Sequence, residues 1–406
     1  MKKRSIAIIL MLCLVFSFIP ADSILQADNG ITEEKFIILL MKEMGLANVE
    51  GDKQSILEQA YAKKVVKHSE KNGLLSKLTK EHAAVYIERV DELVNGQQYD
   101  TNLYEKVLAK NRLSDLKKVK KSYRASVIKV YCKGIMIGYS NGYYVQSRKF
   151  CGKKVVSLSE AKTYLKRLKY PKKRRQISAD GQLIRTTNLP SNKRSYPYIL
   201  ETYPNSFYEK KFEYQKTKYG KKPVALVDYA SPAKIGKMKF YNGVSMKSVM
   251  DKNLEKWCEK VARNMELRFI VDYRTIDNDW VSKLRSTYYV FEGDAQANKQ
   301  RTDEIKDYVA MVKKNKVVVK CSRVTVEPST LYNTWEDYVR VYVRFKIVNG
   351  NVENLGKVFY CEQAYIKNLK KNTWKECYFD VAIGSSNGNS LGSDYAVFSN
   401  MLVNIK

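Results

Sequence analysis

Residues 31–45 read ITEEKFIILLMKEMG, and the same design returns at 78–94 as LTKEHAAVYIERVDELV and at 156–168 as VSLSEAKTYLKRL. In each copy an apolar residue (Ile31, Leu78, Val156) precedes a hydroxyl residue (Thr32, Thr79, Ser157). A hydroxyl at that place accepts a hydrogen bond from an N–H of the first helical turn, so each copy is expected to open a capped helix. Acids follow where the positive end of the helix dipole favours them, at Glu33, Glu34 and Glu160. Apolar residues then recur at helical spacing: Phe36, Leu39, Leu40 and Met44; Ala83, Tyr86, Ile87, Val90 and Val94; Ala161, Tyr164, Leu165 and Leu168. Gly45 suits the end of the first helix. Helices are also expected around Ile56–His68 and Ser122–Lys133, ahead of the second and third copies. A unit of helix, loop and capped helix cannot bury its apolar face alone, so the copies must pack on one another.

The third unit, from Arg112 to Leu168, carries further motifs. Leu113-Ser114-Asp115 opens it, a helix ends in Gly134-Ile135, and Gly138-Tyr139-Ser140-Asn141-Gly142 forms a turn whose glycines and asparagine suit positive φ. Val156-Ser157-Leu158-Ser159-Glu160-Ala161 opens the last helix. This arrangement resembles the surface-layer homology (SLH) family, which anchors exported bacterial proteins to the cell wall. The resemblance covers about residues 31–170, with units at about 31–50, 51–100 and 111–170. It implies an all-α trefoil of three pseudo-repeats whose grooves bind an acidic, often pyruvylated, secondary cell wall polysaccharide. The family's closing motif is degenerate here: unit one, with Glu33 and Glu34, lacks the base, unit two has His82 at the acidic place, and unit three keeps Glu160 without the base.

Composition narrows the partner. The 406 residues exceed one typical core, so several domains are expected. The formal charge of +31 favours polyanions. Lys2, Lys3 and Arg4 precede an apolar run from Ile6 to Ile19, and Ala27 offers a small-residue cleavage site. That order is the pattern of a secretory signal peptide over 1–27, and it turns the expectation from nucleic acid to a wall polymer, with a secreted, cell-surface location and no transmembrane segment after cleavage. With only two histidines, histidine-rich metal sites are excluded, and no metal or cofactor is expected. The six cysteines after the leader allow bridges Cys132–Cys151 and Cys361–Cys377, or buried free thiols.

After a basic linker at 171–195, residues 196–406 read as an α+β domain. Helices are expected from Ser245 to Phe269, around Trp280–Tyr288, and over Ile305–Val312 with Thr302 as cap. Val339, Val341, Val343, Phe345 and Ile347 alternate with polar residues, a strand with one buried face. With Val317–Glu327, Lys357–Lys367 and Thr373–Gly384 it makes an antiparallel four-stranded sheet on which the helices pack. On element order alone this is similar to the nuclear-transport-factor-2-like type. No nucleophile–histidine arrangement and no phosphate-cradling glycine motif is present there. The carboxylate pairs Asp277/Asp279 and Glu336/Asp337 are the candidates for hydrolysis, although helix capping and acidic turns account for them better.

The expected function is non-covalent anchoring to wall polysaccharide, with a non-catalytic C-terminal binding domain. A wall-anchored hydrolase and a surface-layer structural subunit are the alternatives. The polymer-binding residues are expected to be Thr79, Lys80, Gly138, Tyr139, Asn141, Gly142, Lys153, Lys154, Ser157 and Glu160. A capped helix start beside a base is an anion site, and Tyr139, Tyr143 and Tyr144 can stack on sugar rings. The groove at Gly138–Gly142 with Ser157–Glu160 ranks first, a separate groove at Thr79 and Lys80 second, and the one at Thr32 last, because Glu33 and Glu34 repel acids.

Overall fold

The computed structural model describes residues 30–48, 50–212, 218–219, 222–223, 230–240, 242–334, 336–385 and 392–405. The signal pattern at 1–27 lies outside the described residues. The chain is mixed helix and sheet and divides into two compact units. Unit one holds the described residues up to Tyr139 together with Ser147–Gly181. Unit two holds Ser140–Gln146 and the described residues from Gln182 onward.

Unit one contains α1 (Glu33–Glu43), α2 (Lys53–Ala62), α3 (Lys80–Asn95), α4 (Thr101–Ala109), α5 (Arg124–Cys132) and α6 (Leu158–Lys169). The motif helices are α1, α3 and α6, with Thr32, Thr79 and Ser157 as their N-caps; Ser157 and Glu160 close a capping box. Helix α4, capped by Asp100 and turned to the core with Leu103, Tyr104 and Val107, lies outside the repeated motif and is not among the expected helices.

The three residues before the caps bond to one another. Leu78 N donates to Ile31 O at 2.8 Å, Ile31 N to Val156 O at 3.1 Å, and Val156 N to Leu78 O at 2.9 Å. This closed ring of backbone hydrogen bonds fixes the starts of α1, α3 and α6 beside one another, and all three side chains are buried. Neighbouring carbonyls then cap the helix starts. Glu33 N and Glu34 N donate to Ser76 O and Leu74 O, and Lys80 N and Glu81 N to Lys154 O and Gly152 O. Otherwise these N–H groups would be orphaned on burial.

Residues 171–181 do not form a free linker, because they pack within unit one. Arg175 N donates to Gly134 O at 3.0 Å, Tyr131 Oη to Gly181 O at 2.8 Å, and Asp180 pairs with Arg112 at 2.8 Å. Gly134 is required where it stands: its φ is +67°, and a Cβ there would lie 1.8 Å from Arg175 O.

In unit two, five antiparallel strands take the spatial order β5-β4-β3-β2-β1: β1 (Val271–Asp272), β2 (Val318–Asn333), β3 (Asp337–Asn349), β4 (Lys375–Gly384) and β5 (Ala396–Val397). This corrects the four-stranded expectation. Lys357–Lys367 is not in this sheet; its Ala364–Tyr365 pairs in parallel with Leu402–Val403. On one face Val339, Val341, Val343, Phe345 and Ile347 join Trp257, Val261, Met265 and Phe269 of α7 (Met246–Phe269) in a single core. Helices α8 (Asn278–Arg285) and α9 (Ala295–Lys314) follow, and α9 starts earlier than expected because Asp294 is its cap, not Thr302.

The sheet's other face is not simply open to water. Tyr144, Tyr196, Tyr203, Phe207, Tyr208 and Phe212 cover Tyr338 and Tyr342 in a second cluster. Under it the Arg340–Asp380 pair is fully buried, Nε to Oδ1 at 2.8 Å, and the guanidinium also donates to the carbonyls of Phe207, Lys210 and Lys211. All six cysteines after the leader are free thiols, so of the two alternatives the bridges Cys132–Cys151 and Cys361–Cys377 are not formed. Among the described residues no helix is long and apolar enough to cross a membrane.

Gly134→Ala is expected to destabilise unit one by more than about 2 kcal/mol, since steric overlap adds to the left-handed strain. Gly45→Ala, at φ +67° just past the end of α1 with no heavy atom within 4 Å of the added Cβ, should cost only about 1 kcal/mol. Thermal unfolding of the two variants checks this difference.

Candidate functional site

Three short segments of unit one meet at a cleft of about 190 Å³. The start of α3 supplies Lys80, the turn after α5 supplies Ile137, Gly138 and Tyr139, and α6 supplies Ser159, Glu160, Thr163, Tyr164 and Arg167. Glu160, Thr163, Tyr164 and Arg167 are spaced three, four and seven residues apart, so they lie along one helix face. Gly138, at φ +65°, is required because a Cβ would approach Lys149 O to 2.6 Å.

Lys80 is the centre of the site. It is only 3% exposed. Its backbone N–H is bound to Lys154 O, and no carboxylate of the described residues lies within ion-pair distance of its Nζ. The ammonium instead stands 4.2 Å from the ring centre of Tyr139 and 4.9 Å from that of Phe150. Burial pulls its pKa down to about 8, with Glu160 opposing and Lys154 and Arg148 adding to the shift. Arg167 also has no carboxylate within ion-pair distance among the described residues; it donates to Ile135 O at 3.2 Å. Burial, then Arg175, lowers its pKa.

The acid in the cleft is already engaged. Glu160 accepts from Lys154 Nζ at 2.9 Å, from Tyr139 Oη at 2.7 Å and from Ser157 N at 3.2 Å. Burial works against its ionised form, but these bonds hold its pKa below the usual carboxylate range. Lys154, bonded to Tyr139 Oη at 2.6 Å and to Glu160, is held above the usual lysine range. With Lys154 and Glu160 cancelling, Lys80 and Arg167 leave the cleft cationic. Tyr139 and Tyr164 supply ring surface. The arrangement suits an anionic group carried on a ring or other apolar body.

Of the residues singled out from sequence, Lys80, Gly138, Tyr139 and Glu160 line this one cleft, while Lys154 and Ser157 hold Glu160. The two grooves ranked separately are therefore one. Thr79 acts as a cap, its Oγ1 accepting from His82 N at 3.4 Å. Because Lys154 O and Gly152 O already accept the first N–H groups of α3, that helix start is no free anion site, and the charge comes from the Lys80 side chain. Lys153 turns away to the buried Glu81, at 2.6 Å. Asn141 and Gly142 belong to unit two, as does Tyr144, which is buried there and stacks on Tyr342 at 3.6 Å. At the corresponding place in the first motif Glu33 sits against His82 and accepts from Tyr86 Oη at 2.6 Å. Sequence reading missed Arg167, whose spacing from Glu160 was the available signal, while Tyr164 is in the core stripe as expected and also borders the cleft.

In unit two the candidate carboxylates Asp277 and Asp279 have structural partners. Asp277 caps α8 through Trp280 N at 2.9 Å, and Asp279 pairs with Lys283. Among the described residues no group of three or more His, Cys, Asp or Glu is placed to hold a metal. The chain matches no family model, no curated protein and no solved structure. Function is therefore read from the cleft itself.

Replacing Lys80 by methionine removes a buried cation that lacks a counter-ion. Lys80→Met is expected to raise stability by about 1–3 kcal/mol at pH 7. The sign of the pH dependence follows from the lowered pKa. Between about 8 and the ordinary 10.5 the unfolded chain binds the proton that folded Lys80 has lost, so wild-type stability rises across that window. The variant should lack this rise in denaturant titrations at pH 7 to 10.5.

Proposed function

We propose that the protein is secreted and held non-covalently to the bacterial cell wall by unit one. In this reading unit one is an SLH-like trefoil that binds acidic secondary cell wall polysaccharide, and unit two is a non-catalytic binding domain. The observation that carries the reading is the cleft's charge: two cations, Lys80 and Arg167, without carboxylate partners, beside two tyrosines. A carboxylate- or phosphate-bearing sugar supplies the missing counter-charge and a ring for Tyr139. The closed hydrogen-bond ring of Ile31, Leu78 and Val156 supports a three-fold arrangement of units, and the signal-peptide pattern supports export.

Co-sedimentation of the mature protein with purified walls that carry acidic polysaccharide tests this. Binding should weaken with added salt. Lys80→Met and Arg167→Met should each weaken it by about ten- to a hundredfold, as loss of a charge-assisted hydrogen bond does. Lys153→Ala should leave it unchanged, since Lys153 is committed to Glu81. Unaltered binding by both cleft variants contradicts the assignment.

A second reading, a wall-anchored hydrolase, draws on Asp337. Burial raises its pKa to about 6, against hydrogen bonds from Asn333 and Tyr395, and burial and Asp337 raise that of neighbouring Glu336. Clearing of wall material in a zymogram, abolished by Asp337→Asn, would establish that reading.

A further inference from the structure

The Tyr-rich cluster covers only one end of the sheet's second face. Beyond Tyr342 and Tyr378 the register of β2 and β3 sets Arg323 opposite Arg344 and Lys320 opposite Lys346. Directly opposed residues of antiparallel strands project on the same side, and like charges so placed repel. The two pairs are about 7 Å apart, two residues along β3. Glu376, opposite Arg344, is the carboxylate in this row, 3.6 Å from the guanidinium. At the edge Asp272, which feels Lys320, is already held by Arg274.

Two exposed aromatics border the cations. Trp374 is 39% exposed, with Arg344 at 4.5 Å and Lys346 at 5.1 Å from its ring. Asn372 N donates to Ile347 O at 2.7 Å, which fixes the segment Lys370-Lys371-Asn372-Thr373-Trp374 along the end of β3. Tyr143 is 56% exposed, and its carbonyl accepts from Arg323 at 3.1 Å.

We propose that this uncovered end of the sheet, with Lys320, Arg323, Arg344, Lys346 and Trp374 at its centre, is a docking platform for a linear anionic polysaccharide. Opposed cations destabilise the bare sheet, and a row of anionic groups relieves that repulsion. Exposed indole and phenol rings take sugar faces, as the flat, two-sided spacing requires no cavity. The platform is independent of the cleft around Lys80. Only the choice of polysaccharide over single-stranded nucleic acid rests on the export pattern in the proposed function.

The test uses the full mature chain carrying Lys80→Met, with polygalacturonate as the probe. Whether Lys80→Met itself weakens wall binding judges the cleft; the following comparison judges the platform. Lys320→Glu with Lys346→Glu should lower polygalacturonate affinity by about tenfold or more and flatten its salt dependence. The same change of net charge on the exposed α7 residues Lys252 and Lys256 should alter affinity by less than about twofold. Lys320→Gln with Lys346→Gln should melt no lower than the parent and still bind weakly, which separates lost docking from misfolding. Trp374→Ala should weaken binding without changing the salt slope. Equal losses from the platform and α7 pairs would overturn the proposal, because net charge alone would then account for binding. Tighter binding of a thymidine oligonucleotide, lost in the same platform variants, would also overturn it in favour of nucleic acid.

Discussion

Three backbone hydrogen bonds, from Leu78 to Ile31, Ile31 to Val156 and Val156 to Leu78, hold unit one together. They link residues far apart in sequence but equivalent in motif, and each lies one residue before a helix cap. Because the ring is closed, moving one helix start moves the other two. The carbonyls of Gly152 and Lys154 consequently lie over the first turn of α3 and leave its N–H groups no outside partner. Lys80, the next residue along, is carried into the interior with its ammonium. The cleft is thus a product of the ring, and its charge follows from one side chain that the ring buries.

The two units treat buried charge differently. Arg340 in unit two has Asp380 and three carbonyls around it, so its guanidinium is fully paired. Such a pair is neutral on burial and holds the Tyr-rich segment onto the sheet. Lys80 has only aromatic faces and the opposing but weaker pull of Glu160, and burial brings its pKa down to about 8. A cation left in that state is a poor structural choice and a good receptor for an anion, since binding supplies the partner that folding did not. The cost in stability and the capacity to bind have the same origin.

Much of this fold is readable from residue order, and the failures have physical reasons. The caps Thr32, Thr79 and Ser157 and the alternation along β3 are local signals, and helices and strand stand where those signals lie. Helix α4 has a short apolar stripe, Leu103, Tyr104 and Val107, that stands apart from the repeated motif, and β1 and β5 are two-residue strands set by their neighbours. Site prediction failed where long-range geometry decides. Lys153 and Lys154 are adjacent in sequence, yet one turns to Glu81 and the other to Glu160. Asn141 and Gly142 continue the same turn as Gly138 but fall in the other unit. Arg167 stands between the apolar positions Leu165 and Leu168 with no motif around it, and only the turn of α6 places it on the face of Glu160.

Lys80 is a buried cation with no carboxylate within ion-pair distance among the described residues, and the proposed function rests on it. The most direct measurement is the pKa of its side chain, followed by NMR of lysine-labelled mature protein with and without purified acidic wall polysaccharide. The expected value is about 8 in the free protein, with a rise toward the ordinary lysine range on saturation, because an anion stabilises the charged form. A free-state value already near 10.5, or one that stays at 8 while the polymer is bound, would contradict it.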